Sequence, residues 1–209
     1  MSKKVVIIDA DGCIINSESV NRSVHTKLTG RTPSQELRNR VKGLSNFEAW
    51  KIICAEYKLK ETPEEIIQKR DEILKTIYPT IPLKPGVEEF VAELEKRAIP
   101  FCITASCNRA HLNLKLSGHK DIMAKAKFII TNEGDMSPKP SPDLFSRAAQ
   151  NFPQIANQDF IVIEDSVKGI QSAQSLNMQT VFVSSSPAEG CNALIIINSL
   201  EHFPYHLLE

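Results

Sequence analysis

The chain has 209 residues, 42% of them hydrophobic, which is enough for one large core or for a core with a small appended domain. Its 25 basic and 25 acidic side chains give a formal net charge of zero, so the composition predicts neither a nucleic-acid partner nor binding to an anionic membrane. The apolar runs are too short to span a bilayer, and the N-terminus lacks the pattern of a signal peptide. Five cysteines without a C-x-x-C pair predict a reduced, cytoplasmic protein without a disulfide framework.

Short apolar runs rich in β-branched residues recur along the chain. They are Val5–Ile8, Ile99–Thr104, Phe128–Thr131, Phe160–Ile163, Thr180–Val183 and Leu194–Ile197. None of them alternates between apolar and polar residues, as expected of strands that are buried on both faces of a parallel sheet. Helical patterns lie between them, for example where Val87, Val91 and Leu94 share one face. We therefore predict an α/β fold whose core is a Rossmann-like, doubly wound parallel sheet.

The stretch from Ser17 to Thr80 interrupts this alternation, because it contains helix signals in succession and no convincing strand. Three segments have the capping-box spacing of a hydroxyl residue three positions before Glu or Gln: Thr32–Gln35, Ser45–Glu48 and Thr62–Glu65. We predict an all-helical cap domain over residues 16–81, inserted into an α/β catalytic core formed by residues 1–15 and 82–209.

Polar side chains follow four of the predicted strands, at the sheet edge where open parallel sheets bind ligands. In chain order they are Asp9 with Asp11, Thr104 with Ser106, Lys139, and Glu164 with Asp165. Crowded carboxylates repel one another unless a cation is present, and hard oxygen ligands suit Mg²⁺. A lysine and a hydroxyl group can bind a phosphate beside that cation. The set therefore predicts phosphoryl transfer, in which one carboxylate attacks phosphorus and another moves a proton.

These residues resemble, in order, the four motifs of the haloacid dehalogenase superfamily, and the resemblance covers essentially the whole chain. The matching residues are Asp9-Ala10-Asp11-Gly12, Thr104, Lys139 and Glu164-Asp165. The helical insert is similar to the cap of that family, and the chain is most similar to the β-phosphoglucomutase-like sugar phosphatases. The resemblance implies Mg²⁺-dependent hydrolysis of a small phosphate monoester, of the sugar or polyol phosphate type, through an aspartyl-phosphate.

Carried over by position, the resemblance implies that Asp9 is the nucleophile and that Asp11 acts first as general acid and then as base. It implies a phosphate-binding group made of Thr104, Ser106, Asn108 and Lys139. It implies a Mg²⁺ site made of Asp9, the main-chain carbonyl of Asp11, and Asp165, with Glu164 as a supporting carboxylate. The expected partner is a small phosphorylated metabolite, and we expect a monomer.

Two positions depart from the pattern of the family. Cys13 stands where Thr is usual, and Asn16 stands where Asp is usual. The departures leave room for a specialised or slow enzyme. The cap would select the substrate, and its candidate contacts are Arg38, Arg40, Lys42 and Ser45. Sugar phosphates, polyol phosphates and phosphoglycolate all stay open as substrates.

Other functions compatible with parts of this pattern differ from hydrolysis in identifiable residues. A response-regulator receiver has its acceptor Asp after a later strand and has no helical insert. A dehalogenase would lack an acid at the position of Asp11. A phosphosugar mutase of the same superfamily carries a His shortly after the first motif, whereas the first His here is His25. This favours hydrolysis over isomerisation, and a non-catalytic phosphate-binding regulator stays open.

Overall fold

The computed structural model describes residues 4–41, 44–184 and 190–209, except for the side chain of Asn39. The chain divides into two compact units, one formed by Met1–Asn16 with Pro82–Glu209 and the other by Ser17–Ile81. The first is an α/β unit, and the regular elements described in the second are helices. Within the described ranges, no helix is both long and apolar enough to cross a membrane. The five cysteines are free thiols.

The regular elements follow the predicted alternation outside the helical segment. The strands are β1 (Val5–Asp9), β2 (Phe101–Ala105), β3 (Phe128–Thr131), β4 (Phe160–Glu164), β5 (Gln179–Val183) and β6 (Ile195–Ile197). The helices are α1 (Ser17–Thr29), α2 (Gln35–Val41), α3 (Asn46–Tyr57), α4 (Pro63–Ile77), α5 (Val87–Lys96), α6 (Arg109–Lys115), α7 (Lys120–Lys125), α8 (Asp143–Gln150) and α9 (Val167–Gln174).

All the strands pair in parallel in one sheet, in the order β3-β2-β1-β4-β5-β6. This is the strand order of a doubly wound Rossmann-type sheet, so the predicted fold is confirmed. The order places β1 at the centre, between β2 and β4, and its register sets Asp9 opposite Thr104. The carboxyl ends of these three strands therefore lie side by side.

Burial explains why the central strands lack alternation. Every residue of β1, β2 and β4 is buried, because both faces of the sheet are covered. On one face, Val5, Ile7 and Val162 pack in a core cluster with Phe145 of α8 and Ala173 of α9. Fully burying an aliphatic side chain contributes about 1.5–3 kcal/mol, so this continuous apolar layer stabilises the strands that carry the motifs.

The helical unit is built on helices with marked starts. Ser45 caps α3 and Thr62 caps α4, and each forms the reciprocal capping box with a glutamate three residues later, as the spacing predicts. In the α4 box, Thr62 Oγ1 accepts from Glu65 N at 3.3 Å, and the Glu65 carboxylate accepts from Thr62 N at 2.8 Å. One buried core cluster of the unit is formed by Leu37, Trp50, Ile53, Cys54 and Ile66.

The third predicted capping box, Thr32–Gln35, is wrong. Helix α2 begins at Gln35, and the Ser34 hydroxyl accepts a hydrogen bond from Leu37 N at 3.1 Å. Two hydroxyl residues, Thr32 and Ser34, are placed to cap a helix here, and Ser34 is the one that does so. The spacing from Thr32 to Gln35 therefore does not mark the start of α2, whose first turn carries the buried Leu37.

Candidate active site

The site lies where β1, β2 and β4 end. Asp9 is the last residue of β1 and Glu164 is the last residue of β4, with Asp165 directly after it. Thr104 stands opposite Asp9 on β2, and its carbonyl accepts a hydrogen bond from Ala10 N at 2.8 Å. The parallel register therefore brings together side chains that are far apart along the chain.

Three carboxylates form one cluster at this edge. Asp9, Glu164 and Asp165 each offer an oxygen atom, and these atoms lie within 4.8 Å of one another. Asp9 is 4% exposed and Glu164 is 1% exposed, so solvent screens little of their repulsion. An all-oxygen donor set with several carboxylates fits a hard divalent cation such as Mg²⁺ better than zinc or another softer metal.

Lys139 lies against this cluster. Its Nζ is 2.6 Å from Asp9 Oδ1, and it also bonds Glu164 Oε1. The loop that carries it is held by Asp143, which accepts from Ser137 N at 2.8 Å and from the Ser141 hydroxyl at 2.6 Å. The lysine is thus held in contact with the carboxylate at the end of β1.

The charged groups of the site lie close together, and each changes the pKa of its neighbours. Burial raises the pKa of Asp9 well above its usual value, Lys139 works in the opposite direction, and Glu164 and Asp165 raise it further. Burial lowers the pKa of Lys139, but the carboxylates of Asp9 and Glu164 outweigh burial and raise it overall. Asp165 as a whole residue is exposed, but its carboxyl group packs against Gly12 and loses part of its hydration; this desolvation and the neighbouring Glu164 raise the pKa of Asp165 to about 7. A bound cation would relieve the repulsion that these shifts record.

Gly12 makes room for Asp165. Its φ is +79°, a backbone conformation that favours glycine, and a Cβ atom there would lie 1.8 Å from Asp165 Oδ2. The loop is compact, since Gly12 N donates to Ile15 O at 2.9 Å and Ile14 N donates to Ala10 O at 3.1 Å. The glycine therefore serves both the turn and the close approach of a cluster carboxylate.

Glu164 is fixed by the start of α9. Its Oε2 accepts from Ser166 N at 2.7 Å and from the Ser166 hydroxyl at 2.8 Å. The same hydroxyl accepts from Gly169 N at 3.0 Å and so caps the helix. A Cβ at Gly169 would lie 2.1 Å from Glu164 Cδ, which explains a glycine inside a helix. Ser166 and Gly169 thus position the carboxylate that bonds Lys139.

Asp11 has a different cationic partner. Lys115, the last residue of α6, donates from Nζ to both carboxylate oxygens of Asp11, at 2.9 and 2.7 Å. Lys115 is not among the site residues predicted from the sequence. A signal was present, because Lys115 lies between Leu112 and Leu116, both of which are fully buried. A lysine next to such apolar positions can mark a buried ion pair, but the spacing alone does not name the partner.

The remaining predicted phosphate-binding residues lie at the end of β2, in differing surroundings. Thr104 is fully buried, and its hydroxyl lies 3.5 Å from the carbonyl oxygen of Ile8. Ser106 is exposed. Asn108 is the N-cap of α6, where its Oδ1 accepts from His111 N at 2.9 Å. The phosphate-binding role of these three residues stays a prediction.

The comparison with protein families decides the classification. The profile of the haloacid dehalogenase-like hydrolases matches residues 6–183. The chain belongs to this family.

Curated relatives of this haloacid dehalogenase-like hydrolase are named as phosphatases. The chain is 26% identical over 190 residues to "(DL)-glycerol-3-phosphatase 1, mitochondrial" of Arabidopsis thaliana, covering 87% of this chain and 64% of that protein. It is 26% identical over 208 residues to "Probable pseudouridine-5'-phosphatase" of Drosophila melanogaster, covering 94% and 90%. The chain thus spans slightly less than two thirds of the length of the Arabidopsis relative.

A solved structure with the same architecture is the β-phosphoglucomutase of Clostridium difficile. The TM-score is 0.74 at 22% sequence identity, with 98% of this chain and 94% of that chain covered. A structural similarity at 22% sequence identity shows a shared fold and does not show a shared activity.

The two departures from the family pattern differ in their surroundings. Cys13 is fully buried, and burial raises the pKa of its thiol well above the usual value, so the thiol is neutral. Asn16 is exposed. Cys13 therefore behaves as a small buried apolar residue within the loop that carries Asp11.

Proposed function

We propose that this protein is a Mg²⁺-dependent phosphatase that hydrolyses a small phosphate monoester through a phosphorylated Asp9. The observation that carries the proposal is the buried Asp9 carboxylate, bonded by Lys139 and flanked by Glu164 and Asp165. The names of the curated relatives support the same reaction class. Together they favour phosphate ester hydrolysis over a non-catalytic role, because placing the buried carboxylates of Asp9 and Glu164 side by side destabilises the fold.

Asp9 is the group placed to attack phosphorus. One of its oxygens is bonded by Lys139, which favours the ionised carboxylate that a nucleophile needs. Attack forms a bond between an Asp9 oxygen and phosphorus as the bond from phosphorus to the ester oxygen breaks. Lys139 also supplies positive charge beside the phosphate, where negative charge accumulates in the transition state.

The residues that would hold Mg²⁺ are Asp9, Asp165 and the main-chain carbonyl of Asp11, with Glu164 supporting them. When bound, the ion supplies positive charge that keeps the carboxylates ionised and polarises the phosphate.

Asp11 moves the protons in both steps. In the first step its carboxyl group donates a proton to the leaving ester oxygen. In the second step its carboxylate accepts a proton from the water that attacks the phosphorus of the phosphorylated Asp9, releasing inorganic phosphate and free Asp9. Asp11 returns to its protonated form, so one water is consumed for each ester.

We assign the choice of ester to the helical unit, and we propose a sugar or polyol phosphate as substrate. Of the contacts predicted there, Arg40 pairs with Glu56, and the Arg38 guanidinium donates to the Pro33 carbonyl and to Gln35. The Ser45 hydroxyl belongs to the capping box of α3. Lys42 lies outside the described residues.

We propose that the protein works as a monomer in the cytoplasm. The free thiols of its cysteines support a reducing compartment, since disulfides form mainly in oxidising ones.

A hydrolysis screen tests the proposed function. Purified protein with Mg²⁺ would be assayed for phosphate release from glycerol 3-phosphate, pseudouridine 5'-phosphate, phosphoglycolate and hexose phosphates. We expect release with the wild type and with Asp159→Asn, whose carboxylate pairs with Lys4 at 3.1 Å outside the cluster. Asp9→Asn should release none, because an amide cannot form the acyl phosphate. Equal rates in Asp9→Asn, or full activity in excess chelator, would overturn the proposal. Conversion of a hexose 1-phosphate to its 6-phosphate would instead identify a mutase.

A further inference from the structure

The two aspartates of the first motif are each held by a separate lysine. Lys139 bonds Asp9 at 2.6 Å, whereas Lys115 bonds both oxygens of Asp11 at 2.9 and 2.7 Å. Within the described part of the chain, the group of carboxylates close enough to share one metal ion contains Asp9 and does not contain the Asp11 side chain. The Asp11 carboxylate is thus separated from the cluster and engaged by its own cation.

Lys115 reaches Asp11 across the top of the sheet. It lies 104 positions from Asp11 in the chain and at the end of α6, the helix that follows β2. Because β2 pairs directly with β1, the segments that leave their carboxyl ends are neighbours. The Lys115 side chain is 11% exposed, and Leu112 and Leu116 beside it are fully buried. Its stem is therefore packed along apolar surface, and its ammonium group meets the Asp11 carboxylate.

A buried lysine is costly unless it is paired, and fixing its side chain also costs rotamer entropy. Asp11 is more exposed than its partner, with 31% of its side chain accessible. A part-exposed aspartate side chain can adopt several rotamers in water, and contact of both its oxygens with a fixed ammonium group restricts it to fewer of them. The effect of the pair is therefore to define the direction in which the Asp11 carboxylate points.

We propose that Lys115 is a positioning residue of the active site, which acts by holding the Asp11 carboxylate in the orientation that proton transfer requires. This inference rests on the proposed phosphatase function and deepens it. Lys115 does not touch the reacting phosphate; its effect on the rate passes through Asp11. Orientation matters for such a group, because general acid–base catalysis requires hydrogen-bond reach to the leaving oxygen and to the attacking water.

The test is a kinetic double-mutant cycle on the Mg²⁺-loaded enzyme. Lys115→Met keeps the length and the apolar stem but removes the charge, and Lys115→Arg keeps a cation. Both would be compared with Asp11→Asn and with the double variant Asp11→Asn/Lys115→Met. Each is assayed on an alkyl phosphate, glycerol 3-phosphate, and on 4-nitrophenyl phosphate, whose leaving group needs no proton. Lys4→Met is the matched control, because it removes a part-buried lysine that pairs with Asp159 at 3.1 Å.

We expect Lys115→Met to lower kcat on the alkyl ester by up to about 10²-fold, the loss that a misplacement of a catalytic group by about 1 Å can cause. KM should change little, the loss on the aryl ester should be smaller, and Lys115→Arg should recover part of the rate. In the Asp11→Asn background the same substitution should have almost no further effect. Lys4→Met should leave kcat unchanged, and melting curves confirm that each variant is folded.

The results that would contradict the role of Lys115 can be distinguished from those that would contradict the proposed function. If the wild type hydrolyses phosphate esters and Lys115→Met has the same or a higher kcat, the positioning role is wrong. If the loss is as large in the Asp11→Asn background as in the wild type, Lys115 acts on some other group and the inference is also wrong. If the wild type hydrolyses no ester at all, the proposed function fails, and the role of Lys115 fails with it.

Discussion

Asp9 and Asp11 lie two residues apart, yet their surroundings differ. Asp9 is buried against Lys139 and two further carboxylates, whereas Asp11 is part-exposed and paired with Lys115. This division could be predicted only in part from the sequence. The motif residues follow recognisable strands, so their convergence was predictable. The partner of Asp11 was not, because Lys115 belongs to a helix far along the chain, and only the folded register brings them together.

The difference between the two aspartates leads to a kinetic prediction for Asp11→Asn. The amide keeps the main-chain carbonyl and the shape but can neither give nor accept a proton, so turnover of an alkyl phosphate should fall by about 10²–10⁴-fold. With 4-nitrophenyl phosphate the first step needs no proton whereas the second still needs the base, so phosphorylated Asp9 should accumulate and be visible by mass spectrometry after rapid quenching. A label on another residue, or wild-type turnover in Asp11→Asn, would contradict these roles.

Gly12 gives a second prediction at this scale. In Gly12→Ala the new methyl group would occupy the position of the Asp165 carboxyl group, at 1.8 Å from Oδ2, and the backbone φ of +79° would be strained. We expect weaker Mg²⁺ activation and a stability loss of about 1–3 kcal/mol, measured by titration and by denaturant unfolding. Gly30→Ala is the control, since Gly30 has a φ of +67° with no atom within 4 Å of a Cβ there. Gly30→Ala should be strained but should keep wild-type Mg²⁺ activation. An equal loss of Mg²⁺ activation in both variants would refute the contact with Asp165.

At the scale of the elements, the strands of the α/β unit were predicted with bounds within two residues, for example β3 at Phe128–Thr131. Continuous apolar runs are the direct mark of strands buried on both faces, so the pattern carries the answer locally. The start of α2 was predicted wrongly, because Thr32 and Ser34 both satisfy local capping rules and the spacing to Gln35 does not show which of them caps the helix. The type of each strand could therefore be predicted from the local sequence, whereas the first residue of α2 could not.

Packing within the helical unit gives a prediction about pH. His25 of α1 is 8% exposed, stacks on Trp50 at 5.5 Å between centroids, and meets the edge of Tyr57 at 5.6 Å. Its Nε2 has no hydrogen-bond partner among the described residues, and burial lowers the pKa of His25 below its usual 6.5. Because the unfolded chain binds a proton more readily than the folded one, the stability that neutral His25 contributes is present above pH 6.5 and is lost as the pH falls below it.

His25→Phe keeps an aromatic ring against Trp50 and removes both the unpaired nitrogen and the proton-binding site. We expect a higher melting temperature, with a larger gain at about pH 5.5 than at about pH 8. His206→Phe, at an exposed position, is the comparison and should change the melting temperature little at either pH. An equal gain at the two pH values in His25→Phe would show that His25 does not titrate with unfolding.

For the whole molecule, the carboxylate cluster predicts a strong coupling between metal binding and stability. Without a cation, Asp9, Glu164 and Asp165 repel one another at close range, and any ion that binds the folded state alone stabilises it by mass action. Mg²⁺ should raise the melting temperature by several degrees and be required for turnover. Ca²⁺ should suppress turnover, because its larger and looser coordination shell misplaces the nucleophile.

Asp165→Asn separates the repulsion among the carboxylates from the stabilisation by bound Mg²⁺. It removes one charge from the cluster, so the metal-free variant should melt above the metal-free wild type while losing most of the Mg²⁺-dependent rise. Asp135→Asn changes an exposed carboxylate outside the cluster and should behave like the wild type. A wild type whose melting temperature ignores Mg²⁺ would contradict the assignment of this cluster as the metal site.

The pairing of β1 also has a consequence for how the chain acquires its structure during synthesis. β1 is made first, but its partners begin much later, since Val6 is aligned with Phe101 and Val5 with Phe160. The helical unit, in contrast, is one continuous segment of the chain, so all of its internal contacts lie within Ser17–Ile81. Local contacts form faster than distant ones, so the segment between Ser17 and Ile81 can become ordered while the first strand still waits for β2 and β4. Asp9 is thus synthesised before the strands β2 and β4 that fix its position in the sheet.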